Sequence, residues 1–454
     1  MDRRWLFGIL AIVIVAGMVL FVRANLPSLE TVKPNDGETH VAATSPLVIT
    51  FSEEMQPDTV PQNLQIEPPM QGDFSWEDNT LTFTPAESWP SGAMITVTIK
   101  AGARSTLGLP LLRNQLWSFS ISPPLLVYLW PSNGPANLYA IDLTENIASQ
   151  LTVQPNGILA YDISADGTQI YYSSRLTIRN SAIFRLDRVD GSIRQVLNCV
   201  DILCNFPQLS PDGRYLAYTR SPSNLDSEPF PQQVWLVPIV DDALLSEDQA
   251  SIVSDPDHSA GAPFWSPTGL LTFHDKDAEH FIALNPQTDN RVYFPNETGE
   301  PGTWAPDGSN YVVAEVEFWG SGPMDFTSHL WQFEYPSAQN TDLSIDLALE
   351  DVTPAYSPDG RQIAFGRKYL DNERWTPGSQ FWLINADGSN PHQITDNPDF
   401  NYADFSWHPN GQYLTFVRHQ QTNLSDPPEI WTMPANGSDA IRLVIDGYEP
   451  QWIP

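Results

Sequence analysis

"AYSPDGRQIAFGR", residues 355–367, is the stretch on which the fold turns. Tyr356 stands four residues before Gly360, while Ile363 and Phe365 stand three and five after it, with Ala364 between them. Apolar side chains at every second position describe a strand with one packed face. Pro-Asp-Gly before that strand suits a tight turn: proline presets φ, aspartate bonds its own backbone and glycine accepts positive φ. Alone, this is one β-hairpin.

The motif recurs. Aligning glycines gives "YDISADGTQIYY", "PQLSPDGRYLAY", "PFWSPTGLLTF", "GTWAPDGSNYVV", "PAYSPDGRQIAF" and "FSWHPNGQYLTF". A bulky apolar residue precedes each glycine by four: Ile163, Leu209, Trp265, Trp304, Tyr356 and Trp407. After the glycines come Ile170/Tyr172, Leu216/Tyr218, Tyr311/Val313, Ile363/Phe365 and Leu414/Phe416, with Leu271/Phe273 in the shortened third copy. Successive glycines lie roughly 40 to 55 residues apart, the period of four-stranded propeller blades. "QFWLINADGSNPHQIT" and "EIWTMPANGSDAIRLV" supply strand, glycine turn and strand for the second half of the unit.

The chain ends on "YEPQWIP", where Pro450 and Trp452 match Pro354 and Tyr356. Residues 125–152, "LLVYLWPSNGPANLYAIDLTENIASQLT", hold the strands that would follow. One blade is therefore expected to be split, its first strand coming from the C-terminus, which closes the ring and removes open sheet edges. The expectation is an all-β chain ending in a seven-bladed propeller, or six-bladed if the Ile163 copy is degenerate. These repeats resemble the TolB-type (WD40-like) propeller repeats of bacterial envelope proteins, also present in prolyl-oligopeptidase-class enzymes. The resemblance spans about 125–454 and implies the fold, since propellers host many unrelated activities.

Residues 30–122 have a different rhythm. "PLVITFSEEM" alternates Leu47, Ile49 and Phe51; "NTLTFTP" offers Leu81 and Phe83; "MITVTIK" offers Ile95, Val97 and Ile99; "LWSFSIS" offers Trp117, Phe119 and Ile121. Short alternating strands between Pro/Gly/Asn segments read as a small β-sandwich. "VKPNDGE", "ITFSEEM" and "WSFSI" are similar to the SbsA-type bacterial Ig-like module, which implies a spacer or adhesion unit. "SPP" at 122–124 is the expected hinge, and the propeller is assigned to 123–454.

Residues 5–22, "WLFGILAIVIVAGMVLFV", follow Arg3 and Arg4 and contain no charge. Eighteen residues at the helical rise span about 27 Å, enough for a bilayer core. The run is long for a signal peptide, and "VRANLPS" is a poor cleavage site. The expectation is a signal-anchor within 1–24, a linker at 25–29 and the bulk of the chain extracytoplasmic. The 454-residue chain carries 55 acidic and 22 basic residues, a net charge of −33. Such a surface argues against nucleic acid and anionic lipid, which require clustered Lys and Arg. Its simplest meaning is solubility outside the cytoplasm; collection of cations is the alternative.

The two cysteines lie in "NCVDILCN". Cys199 and Cys204 either bridge, closing a small loop with roughly 2 kcal/mol of stabilisation, or remain free thiols. Cys-x4-Cys without a second pair is no zinc signature.

No Gly-x-Ser-x-Gly, His-Glu-x-x-His, Gly-x-x-x-x-Gly-Lys or Rossmann fingerprint occurs. No hydrolase domain accompanies the repeats, so peptidase activity is not expected, and no cofactor is assigned. Turn chemistry accounts for Asp166, Asp212, Asp307 and Asp359, because Thr268 and Asn410 stand in their place in two copies. "FHDKDAEHF", with His274 and His280, is the most metal-like stretch, yet a hairpin explains it more simply. "NADGSN" lacks the distal glutamate of a calcium loop.

Strand parity offers a better lead. The Pro-Asp-Gly turns share one end of the blades with the turns between strands three and four. The long connections, 221–233, 315–328, 367–380 and 418–429, lie at the other end and carry Phe230, Phe318, Trp319, Tyr369 and Trp375. Long loops on a rigid scaffold concentrate binding residues, and clustered aromatics suit a partner protein or a sugar ring; equally, they could fold down to cap the channel. The expected function is non-catalytic recognition of an envelope protein partner or a cell-surface glycan by a membrane-tethered protein. The alternative is a carbohydrate-binding or carbohydrate-active propeller, such as a metal-dependent lyase, with His258, His274, His280, His329 and His419 converging from different blades.

Overall fold

The structure, a computed structural model, describes residues 16–17, 22–39, 41–43, 45–86, 88–90, 92–123, 125–143, 145–223, 230–239, 245, 247–318 and 326–453. The apolar run 5–22 lies outside them except at positions 16, 17 and 22. Among the described residues no helix is long and apolar enough to cross a membrane. The chain divides into two compact units, Met1–Pro123 and Pro124–Pro454.

In the first unit, alternation in sequence becomes alternation in burial. Leu47, Ile49 and Phe51 are buried within Leu47–Phe51, as are Ile95, Val97 and Ile99 within Met94–Ile99. A four-stranded sheet orders Leu29–Lys33, Leu47–Phe51, Thr80–Pro85 and Gly72–Glu77; a three-stranded sheet orders Leu64–Glu67, Met94–Ile99 and Gln115–Ser120. Trp89 is buried between them. It packs against Phe83 and edge-on against Phe119, and its indole N–H donates to Ser45 O at 2.7 Å. Burying so large a side chain is tolerated because its one polar group is satisfied.

Among the described residues, seven four-stranded antiparallel sheets build the second unit. Six follow the sequence copies, with first strands at Ile158–Ile163, Ile202–Leu209, Ala260–Trp265, Thr303–Trp304, Leu349–Tyr356 and Phe400–Trp407. The copy containing Ile163 thus forms a complete sheet. The seventh is split: Tyr448–Trp452 pairs antiparallel with Leu125–Trp130, setting Tyr448 opposite Leu129, Gln451 opposite Val127 and Trp452 opposite Leu126. Each sheet packs its apolar faces on the next. The split sheet meets the first through Val127, Leu138, Ile170 and Tyr172, and the sixth through Tyr128, Val417, Ile430 and Trp452.

The repeated residues have repeated jobs. In the fifth sheet Ser357 Oγ donates to Asp359 Oδ1 (2.7 Å), which also accepts Arg361 N–H (3.1 Å), while Gly360 has φ +69°. Ser210, Asp212 and Gly213 do the same in the second sheet. The bulky residue before the turn staples neighbouring sheets: the indoles of Trp265, Trp407 and Trp452 donate to Gln208 O, Ala355 O and Ser406 O of the preceding sheet, at 3.0, 3.0 and 3.1 Å.

A further regularity is absent from the alternation pattern. Five first strands bulge three residues before that bulky position, placing Phe206, Ala262, Thr353, Asp404 and Glu449 at φ between 49° and 52°. A bulge bends the strand and increases its twist.

Candidate functional site

A buried polar network underlies the long-connection end of the fourth and fifth sheets. Arg367 and Asp351 form a two-pronged ion pair at 2.7 and 2.6 Å, both side chains enclosed. Ser344 Oγ donates to Asp351 at 2.6 Å. The buried His329 ring pairs Nδ1 with Asp342 (2.9 Å) and Nε2 with Asp346 O (3.2 Å). Burial pulls the His329 pKa down, but the Asp342 carboxylate, together with Asp351 and the Asp346 carbonyl, outweighs it, so the net shift is upward. These bonds fasten the connection 343–348 to both sheets and hold it as a rigid platform.

On that platform stand exposed apolar side chains. Phe318 and Phe326 face each other across the last register pair of Asn310–Phe318 and Phe326–Glu334, with centroids 6.4 Å apart. They are 61% and 47% exposed, and Ile345 and Leu347 on the connection are 77% and 48% exposed. Thr327 Oγ1 donates to Leu349 O, and Leu370 N–H donates to Ala348 O at 2.8 Å, so the connection lies between the phenylalanine pair and the loop after Tyr369. In that loop Asp371 accepts the N–H groups of Glu373 and Arg374 and binds the Arg374 guanidinium at 2.6 Å; this pairing lowers the Asp371 pKa. Arg374 also stacks 3.8 Å over Tyr369, and Lys368 Nζ lies 5.2 Å over Trp375, whose side chain is 55% exposed.

The aromatics anticipated from sequence meet different fates. Phe318 and Tyr369 are strand ends rather than loop residues, because cross-strand pairing continues beyond the packed core: the connections shrink to 319–325 and 370–379. Trp375 is in its loop. Phe230 is half-buried in the connection of the second sheet, two sheets away in the ring order. Trp319 lies outside the described residues. Phe326, Ile345 and Leu347 join the patch without having been foreseen; for the latter two, the apolar residues of the connection "LSIDLA" (343–348) were the available signal.

His258, His274, His280 and His329 keep to local partners, and three of them belong to the third sheet or its entry rather than to different blades. His258 Nδ1 meets Asp275 at 2.9 Å. His274 is buried with Nε2 on Asn296 O, and burial lowers its pKa. His280 pairs with Ala278 O and packs edge-on against Tyr293. "FHDKDAEHF" is a hairpin with Asp275 opposite His280. Among the described residues no group of three or more His, Cys, Asp or Glu is placed to hold a metal ion. Cys199 and Cys204 are joined by a disulfide, S–S 2.02 Å.

Two other features were not legible. Burial pushes Asp162 up to about 7; desolvation by its surroundings, followed by the neighbouring Asp404, pushes Glu449 up to about 7, although the residue is exposed to solvent. At the short-turn end, a cavity of about 400 Å³ lies between the fourth and fifth sheets, lined by Pro306, Asp307, Gln332, Tyr356 and Asp359. A hollow at the same place in the repeat, between the second and third sheets, holds Asp212, Arg214 and Trp265. Their recurrence marks them as products of turn geometry.

Residues 24–121 match the bacterial Ig-like domain family. No curated protein matches the chain. Among solved structures, TolB from Acinetobacter baumannii is similar at 13% identity and TM-score 0.44, covering 86% of this chain and 83% of that one. Oligogalacturonate lyase in complex with manganese is similar at 13% and 0.48, covering 90% and 98%. A prolyl endopeptidase structure is similar at 11% and 0.50, covering 71% of this chain and 49% of that one. At such identities a likeness speaks of fold alone. The chain combines a bacterial Ig-like domain at residues 24–121 with a second unit of four-stranded antiparallel sheets arranged as a β-propeller.

Proposed function

We propose that the chain is a non-catalytic binding protein of the bacterial cell envelope. In this reading the 5–22 segment is a membrane anchor, the Ig-like domain is a spacer, and a seven-bladed propeller recognises an envelope protein outside the cytoplasm. The observation that carries it is the patch of Phe318, Phe326, Leu347 and Trp375, apolar side chains held in water on a braced platform. Exposed aromatics on rigid supports supply the buried centre of interfaces. The disulfide accords with an oxidising compartment.

Affinity capture from envelope extracts with the full chain tests the reading. Trp375→Ala should weaken capture of a genuine partner about tenfold or more, with an unchanged melting curve. A partner held equally by the variant would refute the site. Protease added to intact cells should degrade the propeller; release of a mature form beginning near Asn25 would show cleavage instead of an anchor.

A further inference from the structure

Between Arg291 and Arg361 the chain carries no lysine or arginine. That segment supplies the Phe318 and Phe326 strand ends and the connection bearing Ile345 and Leu347, and it holds Glu297, Glu300, Glu315, Glu317, Asp346 and Glu350. Glu317 precedes Phe318 and stands in register with Thr327, while Glu350 follows Leu349, the residue whose carbonyl Thr327 reaches. The Glu315 carboxylate accepts the N–H of Glu297 at 3.0 Å, which draws two acidic residues together. Burial raises the pKa of Glu300, and Glu350 raises it further. The cations nearest in the fold are committed: Arg374 to Asp371, with Asp346 at 3.8 Å, and Lys368 to the Trp375 ring and to a register position opposite Glu350.

The strand ends and the connection that bear the apolar side chains therefore also bear an acidic rim, carboxylates in excess of their cations. We infer that its partner presents a basic amphipathic protein segment: apolar or aromatic side chains seat on Phe318, Phe326, Leu347 and Trp375, while lysine or arginine reaches Glu317, Glu350 and Glu315. This rests on the reading of the patch as the docking site. Charge complementarity selects the occupant. A neutral glycan makes no use of the rim, and anionic lipid or glycan is repelled by it. A second copy would set the same acidic rim against itself in a two-fold interface, on chains that each carry −33.

The test uses the full chain in neutral detergent and a fluorescently tagged peptide of lysine, leucine and phenylalanine, beside its counterpart with glutamate for every lysine. Binding is read by anisotropy at low and physiological ionic strength. The lysine peptide should bind and the glutamate peptide should not. Trp375→Ala and the double variant Glu317→Gln/Glu350→Gln should each weaken binding about tenfold, the double variant also flattening its salt dependence. Asp359→Asn, at the opposite end of the sheets, should leave binding unchanged. Equal binding of both peptides, or a lysine peptide indifferent to the double variant, overturns the inference. So does a neutral oligosaccharide, or a second copy of the chain, occupying the patch in a Trp375-dependent way. If Trp375→Ala abolishes capture of an envelope protein while the lysine peptide does not bind, the partner chemistry falls and the docking site stands. If Trp375→Ala changes neither, the docking site falls too.

Discussion

Arg367 closes the stretch of sequence from which the fold is read, yet its partner Asp351 lies sixteen residues earlier and nothing local announces it. Charged side chains are buried only when paired, and removing one partner strands the other. Arg367→Leu should cost about 3–5 kcal/mol in denaturant unfolding. Arg367→Leu/Asp351→Leu should recover much of that loss, and a double variant no better than the single would refute the pairing as the cause. Glu449 makes an opposite case. Its folded pKa, about 7, lies above the ordinary carboxylate value, so the folded chain holds the proton more tightly than the unfolded chain. Its contribution is present in full below about pH 4.5 and is lost as pH rises through 7. Glu449→Gln should therefore raise the melting temperature by on the order of a few degrees at pH 8, and by little at pH 4.5. A variant less stable at pH 8 would contradict this. Because the carboxyl reaches solvent, screening limits the gain.

Hairpins were legible because their determinants are neighbours in sequence. Ile363 and Phe365 alternate, Ser357, Asp359 and Gly360 bond within their own turn, and both survive in the structure. Strand ends were not. Glu315, Glu317 and Lys368 interrupt the apolar pattern, so Phe318 and Tyr369 read as loop, although backbone pairing carries both strands onward to them. Close approaches were equally hidden. A Cβ on Gly378 would lie 2.5 Å from Phe400 O and 2.6 Å from Asn401 N, so the loop after Trp375 lies directly on the sixth sheet. Gly378→Ala should cost about 1–3 kcal/mol by overpacking; a melting curve identical to wild type would show that the loop has room to shift.

The strand Tyr448–Trp452 joins residues more than three hundred positions apart in sequence, and Trp452 also bonds the sixth sheet through Ser406 O. Deleting residues 448–454 exposes two edges and empties part of the core shared by Tyr128, Val417 and Ile430. Stability should fall by several kcal/mol, a large share of what a folded domain possesses, and an unchanged unfolding curve would refute closure by this strand. The sequence by itself determined the all-β class, the propeller repeat unit and the sandwich strands before it, the end of the sheets at which each connection lies and the residues of the closing strand. All of these follow from period-two burial and turn chemistry, which act between residues a few positions apart. Only the tertiary structure decided the first-strand bulges, the His329–Asp342 and Arg367–Asp351 network beneath the patch, and the exposure of Phe318 and Phe326 at paired strand ends, of Leu347 on the connection beside them and of Trp375 in the loop after Tyr369. Those arrangements depend on register and on which distant side chains share one buried or exposed site. No local pattern encodes that choice, because packing across neighbouring sheets makes it.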